Sequence, residues 1–270
     1  MKYLKNFLKG IAIGVATLIP GVSGGTMAII LGVYDNLIHA ISSFFEDWKK
    51  NIVILLEIGL GGLVGLVLFS GLLEKAITSY PHMMQFLFMG IIIGGLPVLY
   101  KKSTSSGKRV TSDFLFLIIG FIAVLLLSKE PSTTTAMATS QGILNILFLF
   151  FGGIIIAVAL ILPGISGSFM LLALGLYGIT LNAISSFNVP FLIPLGLGVV
   201  VGTLGTTKLI EKFLQKHPNK AYMLIMGFVV GSLLPVFPGI PEGFQIVTSV
   251  MAFVLGFIVI FILGKKGLAD

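Results

Sequence analysis

The chain has 270 residues, 56% of them hydrophobic and 10% charged, with a mean hydropathy of +1.10 and a formal net charge of +7. So few charged side chains cannot cover a water-facing exterior of this size, which excludes an ordinary soluble domain and makes the bilayer the solvent. The apolar runs are continuous rather than alternating, so they read as helices and not as barrel strands.

The first apolar segment, 5–19, follows a Lys-bearing start (Lys2, Lys5, Lys9) that imitates a signal peptide. The same kind of segment returns at 151–162, so it is assigned to the fold and not to a cleaved leader. Next comes PGVSGGTMAIILGVYDNLIHAISSF at 20–44, which reappears as PGISGSFMLLALGLYGITLNAISSF at 163–187. Thirteen of the 25 positions are identical without a gap, including Pro20/Pro163, Gly21/Gly164, Ser23/Ser166, Gly24/Gly167, Gly32/Gly175 and Tyr34/Tyr177. Such self-similarity marks an internal duplication. The echo continues in Gly59-Leu-Gly-Gly-Leu-Val-Gly65 against Gly196-Leu-Gly-Val-Val-Val-Gly202, and in Gly90-x-x-x-Gly94 against Gly227-x-x-x-Gly231. Glycines at this spacing share one helix face and predict close helix–helix contacts. No strand–turn–helix frame surrounds the Gly59 run, so a dinucleotide fingerprint is rejected.

Five apolar segments fit each half: 5–19, 26–44, 51–73, 84–100 and 114–128, then 143–162, 169–187, 190–207, 221–236 and 246–263. The predicted fold is an all-α polytopic membrane protein of two repeats, 1–128 and 143–270, joined by an external linker at 129–142. An odd number of segments makes the second repeat enter from the opposite side, as in many secondary transporters. With both termini in the cytoplasm, 15 of the 17 basic residues fall inside and only Lys75 and Lys129 fall outside. The positive-inside rule therefore supports the segment count and accounts for the net charge without a nucleic-acid partner. The first two segments of each repeat either both cross or form a hairpin that dips in and returns; the short first arm favours the dipping hairpin.

Proline ends the helix before each break, the glycines free the backbone, and Ser23, Thr26, Ser166 and Ser168 supply hydroxyls and N-caps for the helices that follow. One such motif reads equally well as a kink. Two copies, with serine at the same place, point to a paired anion site built from Gly21, Ser23, Gly24, Gly25, Thr26, Gly164, Ser166, Gly167 and Ser168. Asp35, His39 and Glu57 lie within apolar segments of the first repeat only, where ionisable groups are costly, and are candidates for proton coupling or for simple pairing of Asp35 with His39. There is no cysteine, the three histidines make no ligand spacing and no phosphate-binding P-loop occurs, so neither metal nor cofactor is implied.

The loops Pro20-Gly-Val-Ser-Gly-Gly-Thr26 with Gly32-Val-Tyr34, and Pro163-Gly-Ile-Ser-Gly-Ser168 with Gly175-Leu-Tyr177, resemble those of the bacterial polyprenyl-phosphate transporter family. The resemblance covers nearly the whole chain. It implies a flippase of the bacterial cytoplasmic membrane that returns undecaprenyl phosphate, the lipid carrier of cell-envelope precursors, from the outer to the cytoplasmic leaflet. The partners it implies are that lipid and the bilayer, with room for a homo-oligomer. Pro20–Thr26 is also similar to the Pro-Gly-x-Ser-Arg-Ser loop of undecaprenyl-pyrophosphate phosphatases, but Gly24 and Gly167 stand where that family has arginine. Without a fixed cation, stabilising a transferring phosphoryl group is hard, so an enzyme is not expected. A small-anion channel or exchanger on the same helix ends stays open.

Overall fold

The structure is a computed structural model that describes residues 2–104, 110–128 and 142–267, with the side chains of Lys2, Ser168 and Ser185 excepted. Lys108, Arg109, Lys129 and the linker residues 129–141 lie outside the described residues. Among the described residues every regular element is a helix. The first half runs α1 (Lys2–Thr17), α2 (Gly24–Ile30), α3 (Tyr34–Ser42), α4 (Trp48–Ser79), α5 (Pro81–Lys102) and α6 (Thr111–Leu127). The second runs α7 (Ile143–Ile161), α8 (Gly167–Ala173), α9 (Tyr177–Ser185), α10 (Val189–Lys216), α11 (Pro218–Gly231), α12 (Leu233–Val236) and α13 (Phe244–Gly267). Six of these, counting α11 with α12 as one, are long and apolar enough to cross a membrane. Their outer faces carry large apolar side chains, such as Leu56, Leu60, Leu63 and Val67 on α4. Water would oppose such a surface and lipid does not. The chain is a multi-pass membrane protein.

The segments expected at 26–44 and 169–187 are not single helices. Each is cut in two by its Gly-x-Tyr step, and α2 and α3 meet at 119°. The cause is local. Gly32 has φ +70° and Gly175 φ +67°, a left-handed conformation that glycine adopts without steric cost. Gly32 N–H donates to Ile29 O and Val33 N–H to Ala28 O; Gly175 and Leu176 repeat the pattern onto Leu172 and Leu171. That double bond is the Schellman ending of a helix, here used to turn the chain within apolar sequence.

Helix pairs are set by the glycines. Gly61 offers no room for a Cβ against Phe7 O, nor Gly65 against Ile11 O, so α1 lies directly on α4. In the other half, Gly198 meets Phe150 O and Gly202 meets Ile154, placing α7 on α10. The last helices exchange partners between halves: Gly90 and Gly94 of α5 meet Phe253 and Phe257 of α13, and Gly227 of α11 meets Leu117 of α6. Gly59, in the same glycine run, has no neighbour within 4 Å and plays no part in packing.

The contacts also fix direction. Asn6 meets Glu57, Gly10 meets Ile58 and Ile11 meets Gly65, so α1 and α4 run the same way, as do α7 and α10. The stretch from residue 18 to 47 therefore leads from the end of α1 back to the start of α4, beside the start of α1. Asn51, in the first turn of α4, donates to Ser43 O at the end of α3. Asp35 and His39 of α3 meet Lys102 at the end of α5 and Glu211 near the end of α10. Thus α4 departs from the side at which α5 and α10 arrive, and the α1/α4 pair runs opposite to the α7/α10 pair. This is also the side of Lys101, Lys102, Lys265 and Lys266. At the centre sits α2, with Thr26, Met27, Ala28, Ile29 and Ile30 all buried. A seven-residue helix at membrane depth is tolerable because protein rather than lipid surrounds it.

Candidate functional site

The two Pro-Gly-x-Ser-Gly loops fold alike. Ser23 (φ −95°, ψ 144°) and Ser166 (φ −97°, ψ 147°) are extended N-caps of α2 and α8. Ser23 Oγ accepts from Thr26 N–H at 3.2 Å, and Ser166 Oγ from Phe169 N–H at 3.2 Å. Gly21 (φ +78°) and Gly164 (φ +94°) make the left-handed step after each proline.

The loops touch. Ser23 Oγ also accepts from Gly164 N–H at 3.1 Å, a buried bond spanning 141 residues of sequence. A Cβ on Gly25 would stand 3.2 Å from Pro163 Cα, so the backbones are in contact there as well. Tyr34 Oη donates to Ile161 O at 2.9 Å, tying α3 to the end of α7, and Ser232 Oγ donates to Gly21 O at 2.9 Å.

Two cavities adjoin this junction, and a third lies next to one of them. The central one, about 430 Å³, is lined by Ser23, Gly24 and Gly25 of one loop and Ser166 and Gly167 of the other, under apolar walls that include Leu37, Ile38 and Leu160. A second, about 380 Å³, lies toward the ends of α6 and α11 and is lined by Gly21, Gly164, Ser166, Leu172, Tyr177 and Ser232. It shares Ile165 and Ser166 with the central cavity, so the second loop is the wall between them. The third, about 370 Å³, lies at the basic side and holds Asp35, Lys102, Glu211, Gln215 and Tyr222; it shares Ile38 with the central one. The first two N–H groups of a helix have no intrahelical acceptor, and in α2 these belong to Gly24 and Gly25 on the central cavity wall. Together with the serine hydroxyls they give the cavity a polar floor and an apolar wall.

Of the residues singled out by sequence, Gly21, Ser23, Gly24, Gly25, Gly164, Ser166 and Gly167 line the first two cavities, and Thr26 is buried behind Ser23. The Ser168 side chain lies outside the described residues. Asp35 and His39 do not pair with each other. Asp35 Oδ2 takes Lys102 Nζ at 2.7 Å and Oδ1 takes Tyr222 Oη at 3.3 Å. His39 Nδ1 stands 2.9 Å from Glu211 Oε1. The reason is that α3 packs against α10 and the end of α5 brings Lys102 alongside Asp35, so each group finds its partner on another helix rather than at the i, i+4 position. Glu57 Oε2 accepts from Asn6 Nδ2 at 2.7 Å at the α1/α4 contact and lines none of the three cavities. Sequence reading missed Glu211, Lys102 and Tyr222 as partners of the α3 charges, and Gln215 as a donor to Glu211. Glu211 and Gln215 are four apart near the end of an apolar helix, a spacing that signals their own pairing but not the contacts to α3.

Comparison with known proteins identifies relatives along most of the sequence. Residues 13–252 match the family described as undecaprenyl phosphate translocase-like (VCA0040-like). A polyprenyl-phosphate transporter of Staphylococcus aureus is 36% identical over 274 residues, covering 96% of this chain and 95% of the relative. A polyprenyl-phosphate transporter of Vibrio cholerae is 30% identical over 252 residues, covering 88% and 79%. Both relatives are named as transporters and not as hydrolases, in keeping with loops that lack the phosphatase arginine. No solved structure matches the chain. With a doubled Pro-Gly-x-Ser-Gly loop, its central cavity and a match along most of its length, the chain belongs to the undecaprenyl phosphate translocase-like family.

Proposed function

We propose that this protein carries polyprenyl phosphate across the bacterial cytoplasmic membrane, from the outer to the cytoplasmic leaflet, returning the carrier for cell-envelope synthesis. The observation that carries the reading is the contact of the two loops over one cavity. A phosphate head needs hydrogen-bond donors and a path out of hydrocarbon, and the Gly24 and Gly25 N–H groups with the Ser23 and Ser166 hydroxyls offer donors there. The isoprenoid tail needs none. It leaves the cavities past Leu160 and Leu172, whose side chains are exposed on the outer apolar surface. The named relatives support the substrate.

In this reading residues 1–128 and 143–270 are inverted repeats, each opening with a re-entrant hairpin, joined outside by residues 129–142, with both termini cytoplasmic. The opposite running of α1/α4 and α7/α10 supports the inversion, and the basic helix ends support the orientation. The loops bind phosphate through Gly21, Ser23, Gly24, Gly25, Thr26, Gly164, Ser166, Gly167 and Ser168. In this reading the protein works by alternating access: the loops part the cavities, and opening the Ser23–Gly164 bond lets the head pass from one cavity to the other before the bond closes behind it. Asp35 and His39, on the arm that would move, are the groups placed to couple transport to protons; Glu57 lies farther away, on Asn6.

The test is transport by Ser23→Ala/Ser166→Ala protein in proteoliposomes. Normal insertion with transport reduced at least about a hundredfold is expected, since two charge-assisted hydrogen bonds of roughly 1.5 kcal/mol each are lost. Wild-type transport by the double variant sinks the proposal.

A further inference from the structure

The cavity at the basic side has a composition that the central site does not explain. Lys102 Nζ is held at 2.7 Å by Asp35 Oδ2 and at 3.3 Å by Tyr222 Oη, and Tyr222 Oη donates to Asp35 Oδ1 at 3.3 Å. Cation, phenol and carboxylate close a triangle contributed by α5, α11 and α3. The two members of the ion pair are unequally covered. The Lys102 side chain is 20% exposed and that of Asp35 is 63% exposed, while Tyr222 is buried. The cation and phenol are therefore fixed parts of the wall, and the carboxylate is the part that can swing away.

The other carboxylate in the cavity, Glu211, is already committed. It takes Ser42 Oγ, His39 Nδ1 at 2.9 Å and Gln215 Nε2 at 3.2 Å. Three partners hold that carboxylate between α3 and α10. Asp35 and Ile38 both line this cavity, and Ile38 also lines the central one. Release of Asp35 thus removes one of the ties on the face of α3 that separates the two, while Tyr34 and His39 still hold the helix.

We infer that Lys102 and Tyr222 form a second binding station for a phosphate monoester at the basic mouth of the protein, with Asp35 as the resident anion that the incoming phosphate displaces. The station rests on the proposed transport function and gives it a cytoplasmic stop. A phosphate oxygen takes the Nζ and Oη donors that Asp35 now holds, and α3 is unlatched from α5 by the same exchange. Phosphate and carboxylate use the same donors, so they compete rather than add.

Binding of farnesyl phosphate, inorganic phosphate and farnesol to the purified full chain in detergent separates this from a merely structural ion pair. Removing the competitor should tighten binding: Asp35→Asn, which keeps the shape and a hydrogen bond to Tyr222, is expected to bind farnesyl phosphate about tenfold more tightly. Lys102→Gln is expected to bind it about tenfold more weakly, with farnesol binding unchanged in both. Tyr222→Phe, a change of one oxygen, is a second and milder variant, expected to weaken farnesyl phosphate binding about threefold. A structural pair makes Asp35→Asn and Lys102→Gln weaken binding together, which overturns the station, as does an unchanged affinity in Tyr222→Phe. Inorganic phosphate binding as tightly as farnesyl phosphate overturns the lipid as its source. A wild-type protein that flips polyprenyl phosphate while Asp35→Asn gains no affinity overturns the station alone. A wild-type protein that does not distinguish farnesyl phosphate from farnesol overturns the transport reading beneath it.

Discussion

Substituting Ser23 by alanine removes one oxygen that accepts two N–H groups. The first, Thr26 N–H, is an N-cap bond, and losing such a cap costs about 1 kcal/mol. The second, Gly164 N–H, belongs to the other half of the protein, and the bond is buried. Leaving a buried donor without an acceptor costs roughly 1–3 kcal/mol. The sum for Ser23→Ala is about 2–4 kcal/mol, large for the loss of a single hydroxyl. Thr17→Ala is the matched control. Its hydroxyl donates to Gly14 O and that bond stays within α1, so its loss is expected to cost about 0.5–1 kcal/mol. Reversible unfolding of both variants in mixed micelles, followed by circular dichroism, gives the comparison. Equal stability of the two would refute the claim that Ser23 joins the halves.

Three further outcomes follow from the packing. Gly61→Ala places a Cβ against Phe7 O at the α1/α4 contact and is expected to destabilise by roughly 1–3 kcal/mol, whereas Gly59→Ala, facing open space, should stabilise by about 0.5–1 kcal/mol through helix propensity; thermal unfolding in detergent reads both. Gly32→Ala puts a side chain at φ +70° beside the Gly267 backbone, and a loss of at least about 1 kcal/mol is expected by the same measurement. A cysteine pair at Gly25 and Pro163 should cross-link under mild oxidation and stop transport, because the loops meet there and must part for the head to pass; full transport by the cross-linked protein removes the moving-loop mechanism.

Much of the fold was written locally. Pro20 and Pro163 end helices, Ser23 and Ser166 start them, and the GxxxG faces at Gly90 and Gly227 pack, all through nearest-neighbour rules. The Gly32 and Gly175 turns carried a signal too, a glycine kept in both repeats. Hydropathy does not change across them, however, so an apolar run of 19 residues reads as one helix. The partners of Asp35 and His39 were not legible, because they come from α5, α10 and α11, and helical periodicity sees only the i, i+4 neighbour. The same holds for Glu57 and Asn6, which meet only because Gly10 and Gly61 let α1 sit on α4. The exchange of helices between halves, α5 with α13 and α6 with α11, left no trace in the pattern of either half alone.

The most direct test of the central claim is a flipping assay in proteoliposomes holding only this protein, offered polyprenyl phosphate, polyprenyl pyrophosphate or chloride. The two-loop site with a lipid-facing exit predicts rapid translocation of polyprenyl phosphate, with no phosphate released and chloride flux at the level of empty vesicles. Chloride flux with a stationary lipid would mean that the cavity is an ion path, and release of phosphate from the pyrophosphate would mean that the loops cut rather than carry.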